Sequence, residues 1–323
     1  MFSRPDLDCA ATLIHAIMPP TPQYAWPLLR RRYGVEIVVK HENHTPTGAF
    51  KVRGGIVYMD RLVRERPQVR GVVSATRGNH GQSLAFAGER FGVPVTIVVP
   101  QGNAAEKNEA MRGFGAELIE AGADFDEAKA IAAGLAAERG LEYAPPFHED
   151  LVLGVATYGL ELFQAHPDLD TVYVPIGGGS GICGLIRARD LLGLKTRIVG
   201  VVSERFDAYA RSFECGAIVS TDAAFTFADG MAVRCPVPAS FDVIRAGAER
   251  IVRVCDPSIA AAIRVLHEDT HNLAEGAGAA SLAALAAESE SMRGRKVGVI
   301  LCGGNIDRAW AARILAGELP MAA

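Results

Sequence analysis

The chain has few of the features that mark metal proteins, secreted scaffolds, membrane proteins or nucleic-acid binders. Its six cysteines, Cys9, Cys183, Cys215, Cys235, Cys255 and Cys302, are scattered along 323 residues. They offer neither the paired spacing of zinc or redox ligands nor a disulfide framework, so no metal is expected and the thiols read as reduced. Charge of one sign is also lacking. Lys and Arg number 33 against 37 Asp and Glu, for a net charge of -4. That balance supplies no footprint for nucleic acid or for an anionic membrane surface. No apolar run approaches the ~20 residues that span a bilayer. The first residues, "MFSRPDLDCAATLIHAI", set Arg4, Asp6 and Asp8 before a short apolar stretch, which is not the order of a signal peptide. The expectation is a cytoplasmic enzyme or small-molecule binder, with no nucleic-acid or membrane partner.

What is present is alternation. β-Branched runs at "EIVVKHE", "GVVSA", "VTIVVP", "AELIEA", "TVYVPI", "RIVGVV", "RIVRV" and "KVGVILCGG" are separated by alanine-rich helical stretches such as "GQSLAFAGERFG", "DEAKAIAAGLAAERG" and "AGAASLAALAAES". This is the pattern of an α/β protein, a parallel-rich twisted sheet covered by helices. The length suggests two domains, and the paired prolines of "YAPPFHED" mark a break between one strand-helix series and the next.

In such sheets ligands bind where strand ends run into helix starts. Three of these junctions are glycine-rich: "SATRGNHGQS", "PIGGGSGICG" and "CGGN". A fourth loop, "TPTGAFKVRGG", places one amine, Lys51, in a frame of small residues. The run from Gly177 to Gly181 carries consecutive glycines into a helix start, where backbone N–H groups and the helix dipole favour a phosphate. Gly179, Gly181 and Gly184 also fit the dinucleotide fingerprint, with Glu204 after the next strand where a ribose-binding acid would stand. That pattern supports an NAD-dependent dehydrogenase. Such a fingerprint usually occupies the first strand-helix turn, however, and here it lies past mid-chain. If Lys51 instead carries pyridoxal 5'-phosphate as a Schiff base, each loop gains a task. Gly177, Gly178, Gly179, Ser180 and Gly181 hold the phosphate. Asn79 offers an amide to the phenolic oxygen of the ring, and Cys302 offers a neutral thiol to its nitrogen.

The motifs "TGAFKVRGG", "SATRGNHGQS", "PIGGGSG", "FADGMAV", "EGAGAASLAAL" and "CGGN", in this order, resemble the serine/threonine dehydratase family of fold type II pyridoxal-phosphate enzymes. The resemblance covers nearly the whole chain. It implies a two-domain fold, with residues 1–68 and 148–323 forming a large cofactor-binding domain and 69–147 a small domain carrying the asparagine loop. It also implies an ammonia-lyase that removes water and ammonia from a small L-β-hydroxy amino acid to give a 2-oxo acid, working as a homo-oligomer, a dimer. Lys51 would be both cofactor anchor and base, and Phe50 would stack near the cofactor ring. Arg77, Gly78, Asn79, His80 and Gly81 would bind the substrate. A racemase, a dehydratase of 3-hydroxyaspartate or phenylserine, and a β-replacement synthase share the scaffold, and a silent cofactor-binding module is a further alternative. Three departures stand out. Arg77 replaces a small residue of the family loop, "GVAT" at 154–157 replaces Gly-Gln-Gly-Thr, and Val202 stands where relatives with a divalent ion carry an acid. The chain stops soon after "CGGN", so a regulatory domain of the kind that gives feedback control is not expected.

Overall fold

The structure, a computed structural model, describes residues 1–222 and 225–320. Among these residues ten strands appear: β1 (Gln23–Ala25), β2 (Glu36–His41), β3 (Val72–Ala75), β4 (Val95–Val99), β5 (Glu117–Glu120), β6 (Glu142–Tyr143), β7 (Thr171–Pro175), β8 (Arg197–Ser203), β9 (Arg250–Val254) and β10 (Lys296–Leu301). The eight strands expected from the sequence are all present. The two additions, β1 and β6, are only three and two residues long, too short to carry a period-2 signal.

The strands form two sheets. One has the order β5-β4-β3-β6 and is parallel throughout; the other has the order β1-β2-β10-β7-β8-β9 and is parallel except at its edge strand β1. Parallel strands joined by helices bury both faces, which explains the near-continuous apolar runs. In the smaller sheet the alternation still shows. Val95, Ile97 and Val99 of β4 pack with Tyr58, Met59, Leu84, Ala85 and Met111 on one face. Val98, with Val73 and Ala75, packs against Ala128 and Ala132 of the helix Phe125–Arg139 on the other.

The chain divides into two compact units, one of residues 1–19 and 45–155, the other of residues 20–44 and 156–323. The division drawn from the sequence, at 69–147, takes in the strands of the smaller sheet. The structure adds residues 1–19, 45–68 and 148–155 to that unit. The reason is a close fit between helices. A side chain at Gly55 would run into Ser83 of the helix Asn79–Phe91, and one at Gly54 would meet the Leu151 carbonyl at 2.8 Å. The helix Lys51–Glu65 therefore lies against Asn79–Phe91 through its two glycines. In the other unit the fully buried Lys40 is satisfied by Glu161 Oε2 at 2.5 Å and the Thr21 carbonyl at 3.0 Å. No helix among the described residues is long and apolar enough to cross a membrane.

Candidate active site

In the first unit, Lys51 opens the helix Lys51–Glu65. Its carbonyl accepts a 2.6 Å hydrogen bond from Ser83 Oγ, which pins the helix start to the neighbouring helix. Lys51 Nζ lies 4.9 Å from the centroid of the Phe50 ring, within cation–π range. Phe50, expected beside a cofactor ring, thus sits beneath the amine it precedes. Arg53, two residues on, is fully buried.

The loop after β3 runs through Arg77 to the helix Asn79–Phe91. Small residues are needed here because a side chain at Gly81 would overlap Met111, and one at Gly78 would meet Lys107 Cδ at 2.9 Å. The first-turn N–H groups of a helix have no intrahelical carbonyl, which suits them to an anion. Of the five backbone groups expected to line this loop, the Gly78 N–H is already held by Thr76 Oγ1 at 3.0 Å. Arg77 is exposed and makes no ion pair among the described residues. His80 is buried, and desolvation together with the Lys51 charge pushes its imidazole down to about 3.

In the second unit the glycine loop leaves β7 and enters the helix Ser180–Leu191. Gly179 is its N-cap, with φ +97°, a conformation that only glycine adopts freely. The three glycines differ in what surrounds them. A side chain at Gly177 would overlap the Gly230 carbonyl oxygen, and one at Gly179 would meet Ser240 Cβ at 2.6 Å, whereas one at Gly178 would point into open space. The loop is braced from behind. The Tyr158 hydroxyl donates to the Gly181 carbonyl at 2.8 Å, and the Tyr209 hydroxyl lies 3.2 Å from the Gly178 carbonyl and 2.5 Å from Ser240 Oγ. Sequence reasoning missed Tyr158, Tyr209, Ser240 and Ser83, because nothing in their local pattern separates a bracing hydroxyl from an ordinary core residue.

β10 lies beside β7 in parallel register, with Val299 opposite Tyr173. The glycine loop and Cys302 therefore leave adjacent strands at the same, carboxyl, end of the sheet. Cys302 is buried. The motifs "FADGMAV" and "EGAGAASLAAL" frame this end. Beyond the Gly230 contact at Gly177, a side chain at Gly276 would meet Ala228 Cα at 2.7 Å, and the Glu275 N–H donates to the Gly303 carbonyl at 3.1 Å. Glu275 is thus a buried helix cap. Glu204 is exposed in a short 3-10 turn after β8. No cluster of three or more metal-ligating side chains occurs among the described residues.

Taken by itself, the second unit fits a phosphorylated pyridine cofactor, with a braced glycine cradle open at Gly178 and a buried thiol just past the end of the adjacent strand; the first unit by itself offers an amine, Lys51, at a helix start. Comparison with known proteins agrees. The family model "Pyridoxal-phosphate dependent enzyme" matches residues 15–303, and the chain belongs to that family. It uses pyridoxal phosphate as cofactor, which removes the nicotinamide reading of the glycine loop. The chain is 40% identical over 277 residues to an L-threonine ammonia-lyase of Geobacter sulfurreducens, covering 85% of this chain and 69% of that one. It is 32% identical over 314 residues to an L-threo-3-hydroxyaspartate ammonia-lyase of Saccharomyces cerevisiae, covering 97% and 96%. The processed form of threonine deaminase isoform 2 from Solanum lycopersicum superposes with a TM-score of 0.89 at 30% identity, covering 98% of this chain and 95% of that one.

Proposed function

We propose that this chain is a pyridoxal-phosphate-dependent ammonia-lyase that dehydrates and deaminates a small L-β-hydroxy amino acid of the serine/threonine kind. The observation that carries the reading is the pairing, at the ends of adjacent strands, of a braced glycine cradle with a buried thiol. The bound cofactor supplies an electron-withdrawing ring that acidifies the substrate α-carbon. The remaining work falls to side chains and backbone of the chain. Lys51 would anchor the cofactor, and its Nζ would take the α-proton once the amine is released. Backbone N–H groups from Gly177 to Gly181 hold the phosphate, and the Asn79 amide meets the phenolic oxygen. Cys302 would hold the ring nitrogen with a thiol rather than a carboxylate, which would leave the bound ring a weaker electron sink and favour elimination over racemisation. The helix start at Asn79, His80 and Gly81 takes the substrate carboxylate.

A second reading, 3-hydroxyaspartate as substrate, is favoured by one observation, the exposed Arg77 beside the carboxylate loop. Its guanidinium is a fixed cation with a planar donor fork, suited to a second carboxylate. Assaying 2-oxo acid and ammonia from L-serine, L-threonine, phenylserine and 3-hydroxyaspartate separates the two. If Arg77 recruits the second carboxylate, Arg77→Ala lowers kcat/KM for 3-hydroxyaspartate and leaves L-threonine nearly unchanged. An unaltered substrate ranking removes that reading, and D-serine forming from L-serine faster than pyruvate removes the lyase.

A further inference from the structure

The first unit carries a cavity of about 180 Å³, open to solvent on one side, that no step of the proposed reaction uses. It lies among three helices, Arg4–His15, Lys51–Glu65 and Glu149–Ala165. Met1, Phe2 and Leu153 are its apolar lining, the last two buried. Asp6, Arg61 and Glu149, one from each helix, are its charged lining.

These three groups are not spent on one another. Arg61 Nη1 donates to Asp150 Oδ1, while its Nε and second terminal nitrogen meet no partner among the described residues. Asp6 Oδ2 accepts from the Ser3 N–H at 2.8 Å and the Ser3 hydroxyl at 2.7 Å, which leaves Oδ1 without a partner there. The Glu149 carboxylate is exposed and makes no hydrogen bond or ion pair among the described residues. The Asp6 carboxyl is held below its ordinary value first by the Ser3 hydrogen bonds and last by the Arg61 charge, yet Asp6 and Arg61 do not close into an ion pair. Opposite charges thus face one cavity across a gap.

The two signs select the ligand. A simple anion would meet two carboxylates, and a metal ion would meet a guanidinium with only two carboxylates to hold it. A molecule with one charge of each sign satisfies both. Sites for drug-sized ligands span about 300–1,000 Å³, so this cavity suits something smaller, with few atoms beyond its charged ends. We propose that the cavity binds an α-amino acid as its zwitterion, with the carboxylate on the remaining donors of Arg61, the ammonium between Asp6 and Glu149, and a small apolar side chain against Phe2 and Leu153. Planar guanidinium donors match a carboxylate in two places at once. The site needs neither cofactor nor turnover, and so goes beyond the function proposed above.

Arg61 lies on the helix that Lys51 opens, roughly 15 Å along its axis, so its Nε–H resonance reports this cavity and not the cofactor amine. The test follows that resonance in holoenzyme containing isotope-labelled arginine, assigned by its loss in Arg61→Met, or in Arg61→Lys if the first variant fails to fold. L-Alanine is compared with propionate, which lacks the ammonium, and ethylamine, which lacks the carboxylate. The expected result is a saturable shift with L-alanine and binding at least about 3- to 10-fold weaker for either analogue, one charged contact at a partly exposed site being lost. Glu149→Gln, outside the machinery proposed above, should weaken L-alanine by about 3- to 10-fold and leave propionate nearly unchanged. Absence of a saturable shift with L-alanine overturns the proposal. Propionate binding as tightly as L-alanine would reduce the cavity to an anion site on Arg61, and ethylamine binding as tightly would reduce it to a cation site; either result overturns it. So does a Glu149→Gln enzyme that binds L-alanine as wild type does.

Discussion

Adjacent glycines in the cradle allow folding and cofactor binding to be perturbed separately. At Gly178 an added Cβ finds no atom of the protein within 4 Å, and its φ is not in the left-handed region. Gly178→Ala therefore leaves the apoprotein intact and places a methyl group where the phosphate would meet the backbone. Displacing one charge-assisted hydrogen bond costs about 1.5–3 kcal/mol, or roughly 10- to 100-fold in the dissociation constant for pyridoxal phosphate. Gly179→Ala acts differently. Its φ of +97° and the Ser240 Cβ at 2.6 Å both penalise the fold itself, by at least ~1–2 kcal/mol from the left-handed backbone alone. The assay is thermal melting of both apo-variants, followed by cofactor titration monitored by absorbance. Reasoning from the cradle fails if Gly178→Ala binds cofactor within about twofold of wild type, or if it melts as low as Gly179→Ala.

Two further outcomes follow from the same geometry. The Tyr209 hydroxyl accepts from the Val237 N–H at 3.1 Å as well as bracing the loop, so Tyr209→Phe leaves a half-buried donor unpaired. We expect a loss of about 1–3 kcal/mol in urea denaturation, together with weaker cofactor retention. His41 is fully buried, and desolvation, with the His44 charge adding to it, pushes its imidazole down to about 4. An unfolded histidine titrates near 6.5, so between these values the unfolded chain binds more protons. The stability is therefore fully present above about 6.5 and is lost as pH falls toward about 4. Denaturation at about pH 5 is expected to show ~2 kcal/mol less stability from this group than at about pH 7.5. His41→Gln should flatten that slope in part, the remainder coming from His80, whose shift has the same sign.

Much of the fold and part of the candidate site could be read from sequence for definite reasons. Parallel strands buried on both faces leave long β-branched runs, so β2, β4, β7, β8 and β10 stand out. Gly179 could be read as a turn residue because a strand runs directly into it. Its distinction from Gly178 could not, since that depends on Ser240, distant in the chain. The domain boundary was equally hidden. Residues 45–68 join the smaller sheet's unit because Gly54 and Gly55 allow backbone and side chains of Leu151 and Ser83 to approach, and a glycine pair in a helix gives no sign of its partner. That His80 Nε2 lacks a partner among the described residues is a property of packing alone.

The central claim is that Lys51 holds pyridoxal phosphate, and borohydride reduction of the holoenzyme tests it most directly. Reduction is expected to fix the cofactor covalently, and proteolysis with mass analysis should place the pyridoxyl group on the peptide containing "TGAFKVR". The Lys51→Ala variant should remain unlabelled there and fall in turnover by at least ~10²–10⁴-fold, the usual contribution of a general base. A pyridoxyl group on another lysine, or normal turnover by Lys51→Ala, would contradict the account.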